Sequence, residues 1–454
     1  MDKQPSASVA TFLSFLWPGL GQAYTGRRRA AAIYGLPLVV FVLIVLLQAT
    51  GGLGAIAEIM LSPTSALTVA ILIGLLGLWR LVSMADAASS AGTNRRWYRG
   101  QTGAVFILLA ALVIAIHGWA VGVAYAFYEA GSEIYVSEEN PDQTAVPNNP
   151  ASPNPSLDDY GTAPFPTPGP PGSRINVLLT GIDAAPTRTQ ELTDTLMVAS
   201  IDPTTGSVAL ISFPRDLSNV PLYNGHTFKG KINGLMAAAR AHPNQYPDGP
   251  MPTVARELGY LLGVPIHYYA AIDLEGFATL IDEVGGVTVN NEKALNDPRY
   301  RWLDGHAGFT LSAGVHHLDG KTALAYVRSR QGAGDNDFNR ARRQQQVLLA
   351  LRDKLVKPDM LAKAPDLIRA FGHVIKTNFP PDQTGNVVNL AMGMDRESVR
   401  QVVLGPTKYA YRPPASQTGG VYELRLNLKA VAKLAEDIFG AETAYSQGKG
   451  PVVP

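Results

Sequence analysis

The chain has 454 residues, a net charge of +1, 33 prolines, 44 glycines and no cysteine. The missing cysteine excludes disulfides, thiolate metal sites and cysteine nucleophiles. The balanced charge gives no overall basic bias toward nucleic acid, and the length allows more than one domain.

Three long apolar stretches near the start of the chain are typical of membrane-spanning helices. They predict spans over residues 31–49, 63–84 and 103–126. Arginines cluster before the first span and between the second and third, at Arg27, Arg28, Arg29, Arg95, Arg96 and Arg99. The positive-inside rule places both clusters in the cytoplasm. We therefore expect a multi-pass cell-membrane protein whose C-terminal part lies outside the cytoplasm.

The composition divides the chain into three regions. Residues 1–130 are the predicted membrane region, in which the short apolar segment 12–26 is expected to lie in the interface or to re-enter the membrane. Residues 131–172 are a proline-rich linker, typical of a disordered or polyproline-II spacer. Residues 173–446 are the predicted extracytoplasmic domain.

The globular region begins with three apolar runs of strand length. They predict strands over residues 175–182, 195–201 and 207–213. The sequence Asp-Pro-Thr-Thr-Gly at 202–206 is a turn between the second and third runs. We expect the three strands to form an antiparallel meander.

This meander determines which polar residues meet. The first strand ends, the second starts and the third ends at the same edge of the sheet, so Asp183, Asp194 and Arg215 are expected to lie together. Two carboxylates and an arginine from separate loops indicate a metal-assisted phosphate site. The alternative is that they are ordinary turn and cap residues.

Helices and strands alternate through the rest of the domain, which favours an α/β fold with a mixed central sheet flanked by helices. One predicted helix starts near residue 234, and the others cover residues 253–262, 273–284, 318–326, 362–375 and 426–439. Further strands are predicted over residues 266–272, 287–289 and 399–405.

The segment 325–355 has the strongest functional pattern. Between Arg328 and Arg352 there are six arginines and two acidic residues. Arg328 and Arg330 are two residues apart, so in an extended segment they point the same way. Guanidinium groups bind phosphate oxygens bidentately, which favours a polyphosphate ligand over a merely solvated basic surface.

A helix is predicted to follow, starting near Phe338 with Asp337 as its cap. Arg340, Arg343 and Gln344 lie on one face of this helix. Their donors therefore stand near a helix N-terminus, where anions are favoured.

These pieces, in this order, resemble the LytR–CpsA–Psr (LCP) family of bacterial cell-wall enzymes. The resemblance covers residues 173–357. It depends on the motifs NVLLTGID at 176–183, TDTLMVASIDPTTGSVALISFPRD at 193–216, KIN at 231–233, YYAAIDLEGFATLIDEVGGVTV at 268–289, LDGKTALAYVRSR at 318–330 and DFNRARRQQQVL at 337–348.

The resemblance implies a function. An LCP-type α/β/α domain of this kind is similar to phosphotransferases that move a glycopolymer from a polyprenyl-pyrophosphate carrier to a hydroxyl of peptidoglycan, with the lipid tail in an apolar tunnel. The alternatives are a non-catalytic polyprenyl-pyrophosphate-binding regulator of envelope assembly and a lipid pyrophosphatase. Nucleic acid is not expected as a partner, because the domain is predicted to lie outside the cytoplasm.

The resemblance also implies roles for single residues. Asp183 and Asp194 would hold Mg²⁺, and Asp183 is a candidate base. The pyrophosphate would be bound by Arg215, Lys231, Arg328, Arg330, Arg340 and Gln344. One departure concerns Leu192, which stands where the family usually has arginine. Arg188, in the same loop, is the expected substitute.

Overall fold

A computed structural model of the chain describes residues 5–50, 52–91, 97–98, 100–134, 165–170, 172–183, 192–302, 304–330, 332, 335–357, 360, 367, 374–440 and 443–445. Most of the predicted linker, most of the predicted helix 362–375, and Arg188 lie outside these residues. The chain divides into two compact units, one of residues 1–132 with 381–389 and the other of residues 133–380 with 390–454.

The first unit is helical. Its helices are α1 (Ala7–Leu16), α2 (Leu20–Tyr24), α3 (Arg28–Ala49), α4 (Gly52–Leu61), α5 (Pro63–Ser90) and α6 (Gly100–Ile134). Three of these, α3, α5 and α6, contain stretches long and apolar enough to cross a membrane. They contain the three predicted spans.

The uncertain segment 12–26 falls on α1 and α2. Gln22 ties it to α5, because its Nε2 donates to the Ser83 carbonyl at 2.8 Å and to Asp86 Oδ2 at 3.0 Å. Arg80 of α5 donates in return to the carbonyl of Phe15 at 2.9 Å. Polar contacts thus attach this segment to the second apolar helix.

The second unit contains the strands of the fold. The strands are β1 (Ile175–Asp183), β2 (Leu192–Ile201), β3 (Val208–Ser212), β4 (Val220–Pro221), β5 (Thr227–Phe228), β6 (Tyr268–Asp273), β7 (Val287–Asn291), β8 (Leu295–Arg301), β9 (Ala307–Leu311), β10 (Gly314–Leu318), β11 (Ile375–Thr377), β12 (Arg400–Val403), β13 (Ala410–Tyr411) and β14 (Arg425–Leu426).

Among the residues that the structure describes, eight further α-helices follow along the chain. They are α7 (Leu235–Ala241), α8 (Pro250–Leu262), α9 (Leu274–Glu283), α10 (Gly320–Arg328), α11 (Asp337–Leu355), α12 (Thr384–Gly393), α13 (Ala415–Thr418) and α14 (Leu428–Phe439). Asp273 caps α9 as predicted, since its Oδ1 accepts the Gly276 N–H at 2.6 Å.

The central sheet has six strands in the order β11-β6-β1-β2-β3-β12. The predicted meander is confirmed, because β1 with β2 and β2 with β3 are antiparallel. β6 runs parallel to β1 and β12 parallel to β3. The sheet is therefore mixed, as predicted.

Helices cover both faces of this sheet. On one face, Leu178, Val198 and Ile211 pack in a core shared with α7, α8 and α14. On the other face, Met197 and Leu210 pack against Leu349 of α11. The buried Gln345 also attaches α11 to the sheet, because its Nε2 donates to Ser212 Oγ and to the Val402 carbonyl, each at 2.9 Å.

Several details differ from the sequence predictions, and one of them is that Leu318, predicted to begin a helix, ends strand β10 while the helix begins at Gly320. Asn336, not Asp337, caps α11, since its Oδ1 accepts the N–H groups of Phe338 at 3.0 Å and Asn339 at 2.9 Å. Ile375, predicted to end a helix, begins strand β11 instead. Asn336 and Asp337 are both of a type that favours the cap position, and the side chain of Asn336 reaches the free N–H groups at the start of α11.

Candidate active site

The sheet edge at the end of β1 carries an irregularity in the β1–β2 ladder. Gly181 pairs with Thr195, but Ile182 pairs with Thr193, so Asp194 is the additional residue of a β-bulge. Bulges redirect a side chain and often occur beside active sites. The bulge explains how Asp194 faces the cleft described below.

Arg215 follows β3 and approaches Asp194, as the meander predicted. Its Nη1 donates to Asp194 Oδ1 at 2.7 Å, and its Nε lies 3.6 Å from Asp337 Oδ1. Burial alone lowers the pKa of Arg215, but the charges of Asp194 and Asp337 outweigh it and raise the pKa. Arg215 therefore carries a fixed positive charge at this edge.

Arg340 of α11 joins the same group of charges and is 5% exposed. Its Nη2 lies 3.2 Å from Asp337 Oδ1 and donates to the Asp194 carbonyl at 3.3 Å. Burial lowers the pKa of Arg340, and Asp337 opposes that shift. The first turn of α11 thus supplies both a carboxylate and a guanidinium to this site.

Asp216 and Lys231 form a second pair. The ammonium of Lys231 donates to Asp216 Oδ1. Burial raises the pKa of Asp216, and a hydrogen bond with the carboxyl of Asp337 raises it further, whereas Lys231 lowers it. The desolvated carboxyl of Asp216 therefore favours its protonated form.

The segment 328–330 is held by strand β8. The buried Asp297 accepts the Arg330 N–H and the Ser329 hydroxyl on Oδ2, each at 3.0 Å. The buried Tyr300 lies within hydrogen-bonding distance of Arg328. β8 therefore fixes the two arginines that the sequence predicted to act together.

These groups line one cleft of about 340 Å³. Seven cationic and three anionic side chains face it, together with Leu192, Asn233 and Tyr300. The charged ones are Asp194, Arg215, Asp216, Lys231, Asp297, Arg299, Arg301, Arg328, Arg330 and Arg340. The surplus of positive charge makes this a site for an anion.

The remaining predicted site residues lie away from the cleft or outside the described part of the chain. Gln344 does not line the cleft, and its Nε2 donates to the Val327 carbonyl at 3.3 Å. The backbone of Asp183 pairs with Leu192 at the cleft edge, and its side chain is outside the described part of the chain. Arg188 is outside it as well.

Three residues of the cleft were not predicted from the sequence, namely Arg299, Tyr300 and Arg301. The sequence Asn-Asp-Pro before them is typical of a turn, so no strand was predicted there. The alternation of arginines around Tyr300 is the pattern that would have revealed an exposed face. Asp216 and Asp337 belong to the motifs at 193–216 and 337–348, but the sequence predicted no ion pair for either residue.

Two proteins are similar in sequence to about half of this chain. The chain is 31% identical over 253 residues to the regulatory protein MsrR of Staphylococcus aureus strain Mu50, covering 54% of this chain and 69% of MsrR. It is 31% identical over 209 residues to the polyisoprenyl-teichoic acid–peptidoglycan teichoic acid transferase TagU of Bacillus mycoides strain KBAB4, covering 46% of this chain and 62% of TagU.

Among solved structures, that of TagV from B. subtilis matches 59% of this chain and 97% of TagV, with a TM-score of 0.46 and 26% identity. The model of the LytR_cpsA_psr family matches residues 126–434, which is more than half of the chain. Its matched range contains every residue that lines the cleft, and the chain belongs to the LytR_cpsA_psr family.

Proposed function

We propose that this protein transfers a glycopolymer from a polyprenyl-pyrophosphate carrier to peptidoglycan and forms a phosphodiester link. The observation that carries the proposal is the convergence of Arg215, Arg328, Arg330 and Arg340 with Asp194 in one cleft. Arginines grouped in this way suit the bidentate recognition of phosphate oxygens. The TagU relatives, named as teichoic acid transferases, support the reaction class.

In this reaction the acceptor hydroxyl oxygen attacks the phosphorus bonded to the glycopolymer. The new oxygen–phosphorus bond replaces the bond to the bridging oxygen, and polyprenyl phosphate leaves with the electron pair. The hydroxyl proton passes to a general base, for which Asp183 is the candidate. Negative charge grows on the departing phosphate oxygens, and preorganised cations stabilise it. Arg215 and Arg340 are held by carboxylates before substrate arrives, so little reorganisation is needed.

Mg²⁺ takes one or two carboxylates and completes its shell with water and substrate phosphates, and it is the cofactor of the proposed reaction. Asp194 lines the cleft, and Arg215 is bonded to its Oδ1. Asp194 and Asp183 would hold the ion. When bound, the ion would neutralise charge on the phosphate oxygens.

The membrane position is part of the proposal. We place the chain in the cell membrane as a multi-pass protein with the second unit outside the cytoplasm, because Arg27, Arg28 and Arg29 lie at the N-terminal end of the first apolar helix. There the cleft would meet both lipid-linked donors in the bilayer and peptidoglycan.

The test uses the full chain in detergent with a polyprenyl-pyrophosphoryl oligosaccharide, Mg²⁺ and peptidoglycan fragments. Arg328→Ala and Arg330→Ala are each expected to reduce release of polyprenyl phosphate at least roughly tenfold. The matched control is Arg342→Ala, which removes an exposed arginine of α11 outside the cleft. If both cleft variants release polyprenyl phosphate as the wild type does, the site assignment is wrong.

Leu192 favours a second candidate, a binding protein without turnover, because an apolar side chain stands at the cleft where the family usually has arginine. The same assay separates the possibilities. Saturable binding of the lipid without product supports the binding protein. Release of glycan phosphate without peptidoglycan indicates a pyrophosphatase, and glycan found on peptidoglycan supports the transferase.

A further inference from the structure

The lining of the cleft contains two groups of residues that differ in charge. The group from β8 and residues 328–330 carries four arginines and one carboxylate. The group from β2 and the segments after β3 and β5 carries two cations and two carboxylates. Here Arg215 is paired with Asp194. Lys231 is paired with Asp216. An anionic phosphate therefore favours the first group, and an uncharged compound can approach the second.

Asn233 belongs to the second group and has a side-chain amide without a protein partner. Its backbone N–H donates to the Arg215 carbonyl at 3.4 Å, and its carbonyl accepts the Thr193 hydroxyl at 3.2 Å. Among the residues that the structure describes, none forms a hydrogen bond with the side-chain amide. Asn233 is only 7% exposed and lines the cleft. Buried polar groups normally have hydrogen-bond partners, so this amide favours a ligand in the cleft that both donates and accepts.

Tyr422 lies beside the same group, just outside the lining of the cleft. Its ring centroid is 6.0 Å from the ammonium nitrogen of Lys231 and 5.2 Å from the guanidinium carbon of Arg412. Burial raises the pKa of the Tyr422 phenol, and the negative charges of Asp216 and Asp337 raise it further. The ring is therefore close to the carboxyl groups of the site, and Tyr422 is still 40% exposed.

The segment that carries Tyr422 is attached to the residues that follow β3. The Leu424 N–H donates to the Asp216 carbonyl at 3.1 Å, and the Ser218 N–H donates to the Leu424 carbonyl at 2.8 Å. The Ser218 hydroxyl also donates to Glu423 Oε2 at 2.8 Å. Because Asp216 itself lines the cleft, these hydrogen bonds hold Tyr422 at a defined place beside it.

A sugar ring suits the amide and the aromatic ring together. Its hydroxyls need partners that both donate and accept hydrogen bonds, which a side-chain amide supplies. Its C–H faces pack on aromatic rings, and tyrosine offers an apolar surface with a polar end. In the proposed reaction the donor pyrophosphate occupies the arginines. The acceptor hydroxyl attacks the phosphorus in line with the leaving group, so the acceptor needs a surface of its own.

We propose that Asn233 and Tyr422 form the subsite for the acceptor, an uncharged sugar ring of peptidoglycan. The sugar ring packs on Tyr422, and the Asn233 amide binds one of its hydroxyls. This inference rests on the proposed function and adds the residues that recognise the acceptor. Its consequence is that acceptor affinity and donor affinity depend on different side chains, which can be changed separately.

The experiment uses the full chain in detergent with a polyprenyl-pyrophosphoryl oligosaccharide, Mg²⁺ and peptidoglycan glycan fragments of defined length. Tyr422→Leu and Asn233→Ala are each expected to raise the KM for the fragments roughly tenfold, because each variant loses one contact with the sugar. The dissociation constant of the donor, measured by calorimetry, should stay within about twofold of the wild-type value. The share of donor transferred to water instead of the fragments should rise, because the donor is still bound while the acceptor is not.

Tyr411→Leu is the matched control, because it removes a tyrosine that is 49% exposed and does not line the cleft, and it should change neither constant. Tyr422→Leu alters an exposed side chain, so it tests the proposal even if Asn233→Ala does not fold. An unchanged KM for the fragments in Tyr422→Leu overturns the acceptor subsite and leaves the proposed function intact. An equal loss of donor affinity also overturns the subsite. Absence of transfer by the wild type overturns both.

Discussion

The Oδ2 atom of Asp297 accepts the backbone N–H of Arg330 at 3.0 Å, which joins strand β8 to the arginine segment after α10. The same oxygen accepts the Ser329 hydroxyl at 3.0 Å. A buried carboxylate therefore holds the backbone of the segment that carries Arg328 and Arg330. Its role is to position these two arginines, both of which line the cleft.

Asp297→Asn should impair the reaction without removing any cationic group. Hydrogen bonds to charged groups contribute about 1.5–3 kcal/mol, which corresponds to roughly 10- to 100-fold in kcat/KM if it is lost from the transition state. The measurement is polyprenyl phosphate release at several donor concentrations. Asp304→Asn, an exposed change in the same hairpin, is the control. Equal activity of both variants would contradict the positioning role.

Asp337→Asn should destabilise the protein by about 3 kcal/mol, because removing one partner of a buried ion pair leaves charge uncompensated. Asp337 Oδ1 lies 3.2 Å from Arg340, 3.6 Å from Arg215 and 3.7 Å from Arg330. The measurement is thermal unfolding in detergent.

Added inorganic pyrophosphate should raise the Tm of Asp337→Asn more than that of the wild type, because a ligand that binds only the folded state stabilises it and the arginines now lack their carboxylate. A variant as stable as the wild type without pyrophosphate would argue against the ion-pair role of Asp337.

Leu192→Arg should tighten the binding of inorganic pyrophosphate roughly tenfold, because a new guanidinium would enter the cleft at the start of β2. Calorimetry in detergent measures the dissociation constant. Leu192→Met, which changes shape without adding charge, should bind pyrophosphate as the wild type does. Weaker binding by Leu192→Arg would mean that the apolar side chain is needed there.

Glu257 of α8 predicts a pH dependence of stability. It is fully buried, and burial raises its pKa to about 8. The folded state therefore favours the protonated form, so the contribution to stability is complete below about pH 4.5 and is lost as the pH rises through about 8.

Replacing this side chain with a neutral one tests the assignment. Between pH 5 and pH 9, the unfolding free energy of the wild type should fall by on the order of 3 kcal/mol. The unfolding free energy of Glu257→Gln should not show this fall. Denaturant unfolding at both pH values measures it. Glu283→Gln, at an exposed position of α9, should retain the wild-type slope. Identical slopes for the wild type and Glu257→Gln would refute the buried-carboxyl account.

Sequence patterns predicted the meander and the meeting of Asp194 with Arg215 because both depend on local information. Apolar runs define the strands, and a short turn between two runs forces an antiparallel pair. The β-bulge at Asp194 was not predictable in this way. It depends on the register between β1 and β2, whose residues come together only in the folded chain.

Strand β8 shows a second limit. Its residues include Pro298 and follow an Asn-Asp pair, and local preferences of this kind favour a turn. The strand forms because Leu295 pairs with Leu311 and Tyr300 packs in a core with Phe309. Tertiary packing overrides the local preference. The contribution of Arg299 and Arg301 to the cleft is visible only after that packing is known.

The bulge at Asp194 has a consequence for genetic variation. Removing the codon of Asp194 would restore a regular ladder with β1, because Thr193 and Thr195 would keep their partners Ile182 and Gly181. The reading frame and the hydrophobic core would survive, but the cleft would lose the carboxylate that Arg215 holds. Short in-frame deletions at this point are therefore expected to be more damaging than most amino-acid exchanges at the same position.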